Sequence, residues 1–217
     1  MTKWQAFIFD FDGVLADSVE VKTRAFANLY EPYGQDVVDQ VVAHHRKNGG
    51  MNRYDKFRHY HEAFLGLSLS SSDVDDLAQK FSRVVIDEVV ASPEIPGAGH
   101  FLEANRGNFP YFLNSATPED ELREIVTRRS MGSYFTEILG APRSKADNLG
   151  SILTKYHLQP NCCLFFGDAE SDYHAAMIHG VQFMGLIPDD DAPLLVAVPD
   201  VRWKRNFYEV EAWLKGH

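Results

Sequence analysis

The chain is poor in cysteine. Of 217 residues only two are cysteine, Cys162 and Cys163, and they are adjacent. Neighbours on a strand point to opposite faces, so this pair cannot staple distant segments. No spacing suits a structural zinc site either. We read both as small buried apolar side chains, in a protein suited to a reducing compartment. Long apolar runs are also missing, and no stretch reaches the roughly 20 residues needed to span a bilayer. The N-terminal MTKWQAFIFDFDG lacks a charged region followed by a long apolar one and a small-residue cleavage site. The expectation is a cytoplasmic protein with no membrane partner. Positive charge is scarce as well: 21 Lys and Arg face 31 Asp and Glu, a net charge of −10. That balance argues against a nucleic-acid partner, which needs a basic footprint. The remainder, 45% hydrophobic and 24% charged, is a globular composition. The length suits one large domain or one domain with an insertion, and its core needs no disulfides.

Apolar runs of strand length lie at Ala6–Phe9, Tyr111–Leu113, Thr136–Leu139, Cys162–Phe166 and Gln182–Ile187. Helix-period segments separate the later ones. Residues 118–130 carry Leu122, Ile125 and Val126 on one face, and residues 145–157 carry Ala146, Leu149, Ile152, Leu153 and Tyr156. Short, nearly all-apolar strands alternating with helices predict an α/β protein, a Rossmann-like three-layer core around a parallel sheet. Ligands in such sheets bind at the carboxyl ends of the strands. The first two strands are about 100 residues apart, far beyond a single crossover. Residues 17–92 therefore read as an inserted α-helical unit, with 1–16 and 93–217 forming the core. Its periodic apolar positions are Phe26, Leu29 and Tyr30, then Phe57, Tyr60 and Phe64, then Leu77, Phe81, Val84 and Val85. The chain returns to the core through the turn-rich Ala91–Gly97, and Ser68–Ser72 reads as a short loop.

Chemistry gathers where strands end. Phe7-Ile8-Phe9 runs into Asp10-Phe11-Asp12-Gly13. Residues i and i+2 of a strand share a face, so Asp10 and Asp12 point together at the carboxyl edge. Two close carboxylates call for a cation, and a hard ion such as Mg²⁺ takes oxygen ligands. An EF-hand loop starting at Asp10 fails, because its twelfth position is Val21. The fourth strand delivers Asp168 and, four residues on, Asp172 to the same edge. Asp168 is also a candidate N-cap for the next helix. After the second strand, Thr117 as N-cap with Pro118 at the first helical position marks a helix start. Free N–H groups there form an anion site, with Ser115 and Ala116 as candidate binding positions. Ser144 and Asp147 fit a capping box. Lys145 then sits in a first turn, where the helix dipole disfavours a cation, and a residue placed against its local preference is a functional candidate. Four Asp, one Ser, one Lys and a helix N-terminus at one edge are what metal-assisted phosphoryl transfer needs.

The ordered set DFDGVLADS, LNSATPEDEL, SKADN and FFGDAESDYHAA resembles the haloacid dehalogenase-like hydrolase superfamily, in the branch of phosphoglycolate phosphatase and beta-phosphoglucomutase with a helical C1 cap. The resemblance implies a Mg²⁺-dependent phosphatase acting on a small phosphorylated metabolite through an aspartyl-phosphate. Asp10 would be the nucleophile and Asp12 the general acid, then base. Ser115 would hold phosphoryl oxygens, and Lys145 would neutralise Asp10 and the phosphoryl group. Metal would be held by Asp10, the Asp12 carbonyl and Asp168, with Asp172 ligating through water or orienting Lys145. Asp12 sets the chain apart from dehalogenases and phosphonate-cleaving relatives, which lack that acid. A phosphomutase shares every motif, and a non-catalytic phosphate-binding protein is a more distant alternative. Within the insertion, residues 44–61 hold Arg46, Lys47, Arg53, Lys56 and Arg58 against Asp55 alone, a net +4 in an acidic chain. Gly50-Met51-Asn52-Arg53 resembles the GxxR loop of beta-phosphoglucomutase-type caps, which implies a substrate contact for Arg53. Lys56 and Arg58 read as a solvated face. His44, His45, His59 and His61 read as surface residues or weak substrate contacts rather than a metal cluster. Trp203-Lys204-Arg205, with Phe207 and Trp213, reads as a packing helix end. A C1 cap leaves room for a monomer or a homodimer.

Overall fold

The computed structural model describes residues 4–190 and 192–216. Met1–Lys3, part of the leader argument above, lie outside them.

The strands are β1 (Ala6–Phe9), β2 (Tyr111–Pro118), β3 (Phe135–Ala141), β4 (Cys163–Gly167), β5 (Gln182–Leu186) and β6 (Trp203–Lys204). They form one sheet in the order β3-β2-β1-β4-β5-β6, with every pairing parallel. The helices are α1 (Val19–Tyr30), α2 (Gln35–Lys47), α3 (Arg53–Leu65), α4 (Ser71–Ala91), α5 (Ala98–Ala104), α6 (Glu119–Arg128), α7 (Lys145–Lys155), α8 (Glu170–His179), α9 (Pro193–Ala197) and α10 (Phe207–Lys215).

Alternation along the strands builds three layers. Phe7, Phe9, Leu113, Leu164, Phe166 and Met184 face α5, α6 and α10 through Phe101, Leu122 and Phe207. Ala6, Ile8, Phe112, Cys163, Phe165 and Phe183 face α7, α8 and α9 through Leu149, Ala176 and Leu194. Both faces of the central strands are dry, which is why their sequences are apolar without interruption. On the first face aromatic rings do the filling: Phe9 stacks on Phe166 at 5.0 Å, and Phe101 meets Phe207 at 5.0 Å.

The segment between β1 and α5 is helical throughout its long elements, and these helices are referred to as the cap. Phe26, Tyr30, Val41, Phe57, Tyr60, Phe81 and Val85 make its core, with Phe26 and Phe81 at 4.3 Å. Val84, expected in that stripe, is instead 49% exposed, because Val85 takes the inward position one residue on.

Several local expectations are corrected. Pro118 ends β2 and is the N-cap of α6, and Thr117 lies within the strand with its side chain turned into the site. Ala169, not Asp168, precedes α8 as its N-cap. Ser70 caps α4 through Asp73, so the serine loop stops there and Ser71 and Ser72 are helical. Trp203–Lys204 is an edge strand beside β5, and only Phe207 and Trp213 belong to a helix. Cys163 is buried at the start of β4, but Cys162, in the turn just before the strand, is half-buried.

Candidate active site

β1 sits between β2 and β4 at the point where the strand order reverses, the position where open α/β sheets bind ligands. The chain leaves β1 through Asp10 and Asp12, and the neighbouring strands bring Ser115 and Asp168 to the same edge.

Asp10 is buried and uses both carboxylate oxygens. Oδ1 accepts from the Phe11 N–H at 2.6 Å, and Oδ2 accepts from Lys145 Nζ at 2.6 Å. Lys145 also donates to Asp172 Oδ1 at 2.5 Å. The start of α7 is fixed for this task. Ser144 accepts from the Asp147 N–H at 3.0 Å, and Asn114 of β2 donates to the Lys145 carbonyl at 2.9 Å. Burial works against the Lys145 charge, but Asp10 and Asp172 outweigh it and hold the ammonium firmly protonated.

Asp10, Asp168 and Asp172 bring carboxylate oxygens within 4.8 Å of one another. Burial, then the Asp10 and Asp172 charges, push Asp168 well above the usual carboxylate range. Burial also raises Asp172, against the pull of Lys145. With Asp12, four carboxylates meet two ammonium groups, Lys145 and Lys22, so two formal negative charges stay unbalanced. The donors are all oxygen, and Asp168 makes no ion pair among the described residues. This set fits a divalent cation. Backbone shape agrees, since Gly13 leaves the space into which Asp168 reaches.

The Asp12 side chain stands apart from the acidic trio. It pairs with Lys22 and accepts from Ser18 Oγ at 2.6 Å and from Thr117 Oγ1 at 3.2 Å. Burial acts to raise its pKa, yet Lys22, Ser18 and Thr117 together bring it below the ordinary carboxylate value. Ser115 is buried, and its Oγ accepts from the Thr117 N–H at 3.3 Å.

These groups open into a cavity of about 60 Å³ between the sheet edge and the cap. Asp10, Asp12, Ser115, Ala116 and Lys145 line it from the core, and Lys22, His45, Arg53 and Lys56 from the cap helices. The loop before α3 touches the core directly. Gly50 lies where a Cβ would come within 1.6 Å of Ser171 Oγ. Arg53 reaches the cavity wall with its guanidinium already engaged: it makes a bidentate pair with Glu121 of α6 at 2.8 and 2.5 Å and bonds Ser82 Oγ at 2.7 Å.

The expected core residues thus converge, with the Asp12 side chain beside rather than within the acidic trio. The sequence reading missed Lys22, Thr117 Oγ1 and the His45–Lys56 pair. Lys56 is not solvated: it is buried, and its Nζ donates to His45 Nδ1 at 2.8 Å. His45 and His61 are buried too, and His44 stacks on His59 at 4.2 Å. The signals were available. Lys22 is a cation in the first turn of α1, the same anomaly that flagged Lys145. Lys56 falls at helical spacing with Phe57 and Tyr60.

The comparisons agree with this geometry. The chain is 28% identical over 191 residues to a phosphoglycolate phosphatase of Pseudomonas putida, covering 82% of this chain and 68% of that one. It is 26% identical over 204 residues to a phosphoglycolate phosphatase of Synechococcus elongatus, covering 90% and 91%. Its fold is similar to that of a beta-phosphoglucomutase from Clostridium difficile, with a TM-score of 0.77 over 98% of each chain at 17% identity. Residues 7–186 match the haloacid dehalogenase-like hydrolase family, and the chain belongs to that family.

Proposed function

We propose that the protein is a Mg²⁺-dependent phosphatase that hydrolyses the phosphomonoester of a small phosphorylated metabolite through an aspartyl-phosphate on Asp10. The observation that carries this reading is the Asp10 carboxylate, held by Lys145 on one oxygen and by a backbone N–H on the other, beside Asp168 and Asp172. The phosphatase relatives supply the reaction class.

Asp10, the Asp12 carbonyl and Asp168 would hold the cation, with Asp172 at its edge. There Mg²⁺ would offset the negative charge of the phosphoryl group and of Asp10. Lys145 and Ser115 orient the equatorial phosphoryl oxygens, joined by the N–H groups around Ala116. An Asp10 oxygen attacks phosphorus as the ester P–O bond breaks. Asp12 enters this step protonated and delivers that proton to the leaving oxygen. Asp12 then takes a proton from the water that attacks the aspartyl-phosphate, which regenerates Asp10 and releases phosphate. Its lowered pKa leaves it ionised for the second role, and the negative charge of a phosphoryl group bound beside it favours the protonated form that the first role needs.

We take residues 17–92 as a cap unit over a core of 1–16 and 93–217. The cap closes the cavity against bulk water and brings Arg53 and the other cationic side chains to its wall. We place the protein in the cytoplasm, in keeping with its unpaired cysteines; no helix among the described residues is long and apolar enough to cross a membrane.

Phosphate release from a panel of phosphorylated metabolites, with Mg²⁺ and with EDTA, tests the reading. Metal-dependent release from a few compounds, abolished in Asp10→Asn, is the expected result. Isomerised sugar phosphate with little free phosphate would overturn it in favour of a mutase.

A further inference from the structure

Between Asn114 and Pro118 the pairing of β2 with β3 slips. Asn114 lies opposite Leu139 and Pro118 opposite Ala141, so three residues of β2 face one of β3. Bulges of this kind re-aim side chains beside active sites. Gly140 makes room for this one, because a Cβ there would come within 2.4 Å of the Thr117 carbonyl oxygen. Ser115 and Thr117, both buried, thereby line the cavity together.

Thr117 joins the two sides of the chemistry. Its N–H donates to Ser115 Oγ at 3.3 Å. Its Oγ1 lies 2.7 Å from Lys22 Nζ and 3.2 Å from Asp12 Oδ2. An ammonium can only donate, so Thr117 Oγ1 accepts from Lys22 and gives its own proton to Asp12. Among the described residues, three side chains hold the Asp12 carboxylate: Ser18, Lys22 and Thr117. Ser18 and Lys22 lie within residues 17–92 and move with the cap. Thr117 belongs to the sheet. When the cap opens, it is the partner that stays with Asp12.

We infer that Thr117 is a positioning residue, whose hydroxyl keeps the Asp12 carboxylate aimed at the water that attacks the aspartyl-phosphate. In that step the water oxygen bonds to phosphorus, the bond from phosphorus to the Asp10 oxygen breaks, and the water proton passes to Asp12. The inference rests on the phosphatase reading for its reaction and on residues 17–92 moving as a unit. Acetyl phosphate separates the two half-reactions. Its acetate leaves without a proton, so formation of the aspartyl-phosphate does not need Asp12, whereas its decay does.

The test is a rapid-quench experiment on the Mg²⁺-loaded protein with acetyl phosphate, following protein-bound and released phosphate. Thr117→Val removes the hydroxyl with little change in shape and leaves Asp12 paired with Lys22. Formation is expected to stay within about twofold of wild type while decay slows by about tenfold or more, so that bound phosphate accumulates. Thr117→Ser restores the hydroxyl and should bring decay most of the way back. Should Thr117→Val fail to fold, Thr117→Ala carries the same expectations. Decay at the wild-type rate in the variant lacking the hydroxyl overturns the inference. So do formation and decay that fall together, and a Thr117→Ser that decays as slowly as Thr117→Val. A wild-type protein that neither carries a phosphoryl group nor releases phosphate counts against the phosphatase reading alone. Crystal structures of the variants then decide on Thr117. The Asp12 carboxylate should turn away from Ser115 in Thr117→Val and return in Thr117→Ser, and an unmoved Asp12 in Thr117→Val overturns the inference.

Discussion

Gly13 and Asp168 are packed so closely that the glycine has no room for a side chain. A Cβ on Gly13 would lie 2.3 Å from Asp168 Oδ2, and the backbone there holds φ at +75°. The tight exit from β1 and the position of the acidic trio are therefore one structural feature. Gly13→Ala is expected to cost about 1–2 kcal/mol from the left-handed backbone and to displace Asp168 as well. Mg²⁺ affinity, measured by titration, should fall by at least tenfold, while a mild loss in melting temperature shows the fold intact. Unchanged metal affinity would separate Asp168 from the metal site.

Arg53 and Glu121 join α3 of the cap to α6 of the core through a bidentate pair in which both side chains are about 95% buried. Removing one partner of such a pair costs about 3–5 kcal/mol, because the other is left charged and buried. Glu121→Ala should lose stability on that scale in denaturant unfolding. The double variant Arg53→Met, Glu121→Leu should recover most of it. A double variant as unstable as the single one would mean that the pair itself, not the orphaned charge, provides the stability.

Gly50 holds the cap loop against Ser171 at a distance that only a hydrogen permits. Gly50→Val should keep the cap and core folded but hold the loop away from the core. We expect kcat to fall by tenfold or more, with little change in melting temperature. Normal kcat would show that this contact is not needed for closure.

The core site was legible where its residues break a local rule. Apolar strands end abruptly in carboxylates, and Lys145 sits at the wrong end of a helix dipole. The sheet was legible from its uninterrupted apolar runs, apart from the two-residue β6, which is too short to show a period. The cap was read only coarsely. Its helix α2 fully buries just Val41 and His45, although Val37, Val38, Val41 and Val42 recur there at helical spacing. The partners of Arg53 and Lys56 are 68 and 11 residues away in sequence, and no spacing rule connects them.

Lys56 and His45 also set a pH dependence of stability. Lys56 has a folded pKa of about 7, below the ordinary lysine value. Between those values the unfolded chain holds a proton that the folded chain has lost, so this group makes stability rise with pH. The groups facing it are Lys22, Lys145 and Arg53, with Asp12 opposing them, besides His45. Lys56→Met should therefore stabilise the free protein most below pH 7, and its advantage should fade as pH rises towards about 10. His45 works in the acid range: with its folded pKa near 2, it costs stability as pH falls below about 6.5, where the unfolded imidazole protonates. Melting temperatures of wild type and Lys56→Met across pH 5–10 check both signs. A constant difference would mean that Lys56 does not titrate in this range.

The most direct measurement is to trap the phosphoryl group on Asp10. Acetyl phosphate needs no proton for its leaving group, so the Asp12→Asn variant should still accept a phosphoryl group while losing the base that activates water. Mass spectrometry of this variant, incubated with acetyl phosphate and Mg²⁺, should find one added phosphoryl group on the peptide containing Asp10. The group should be absent with EDTA and absent when Asp10 is also changed to Asn. A variant that turns over acetyl phosphate without carrying the group, or that carries it on another residue, would contradict the account.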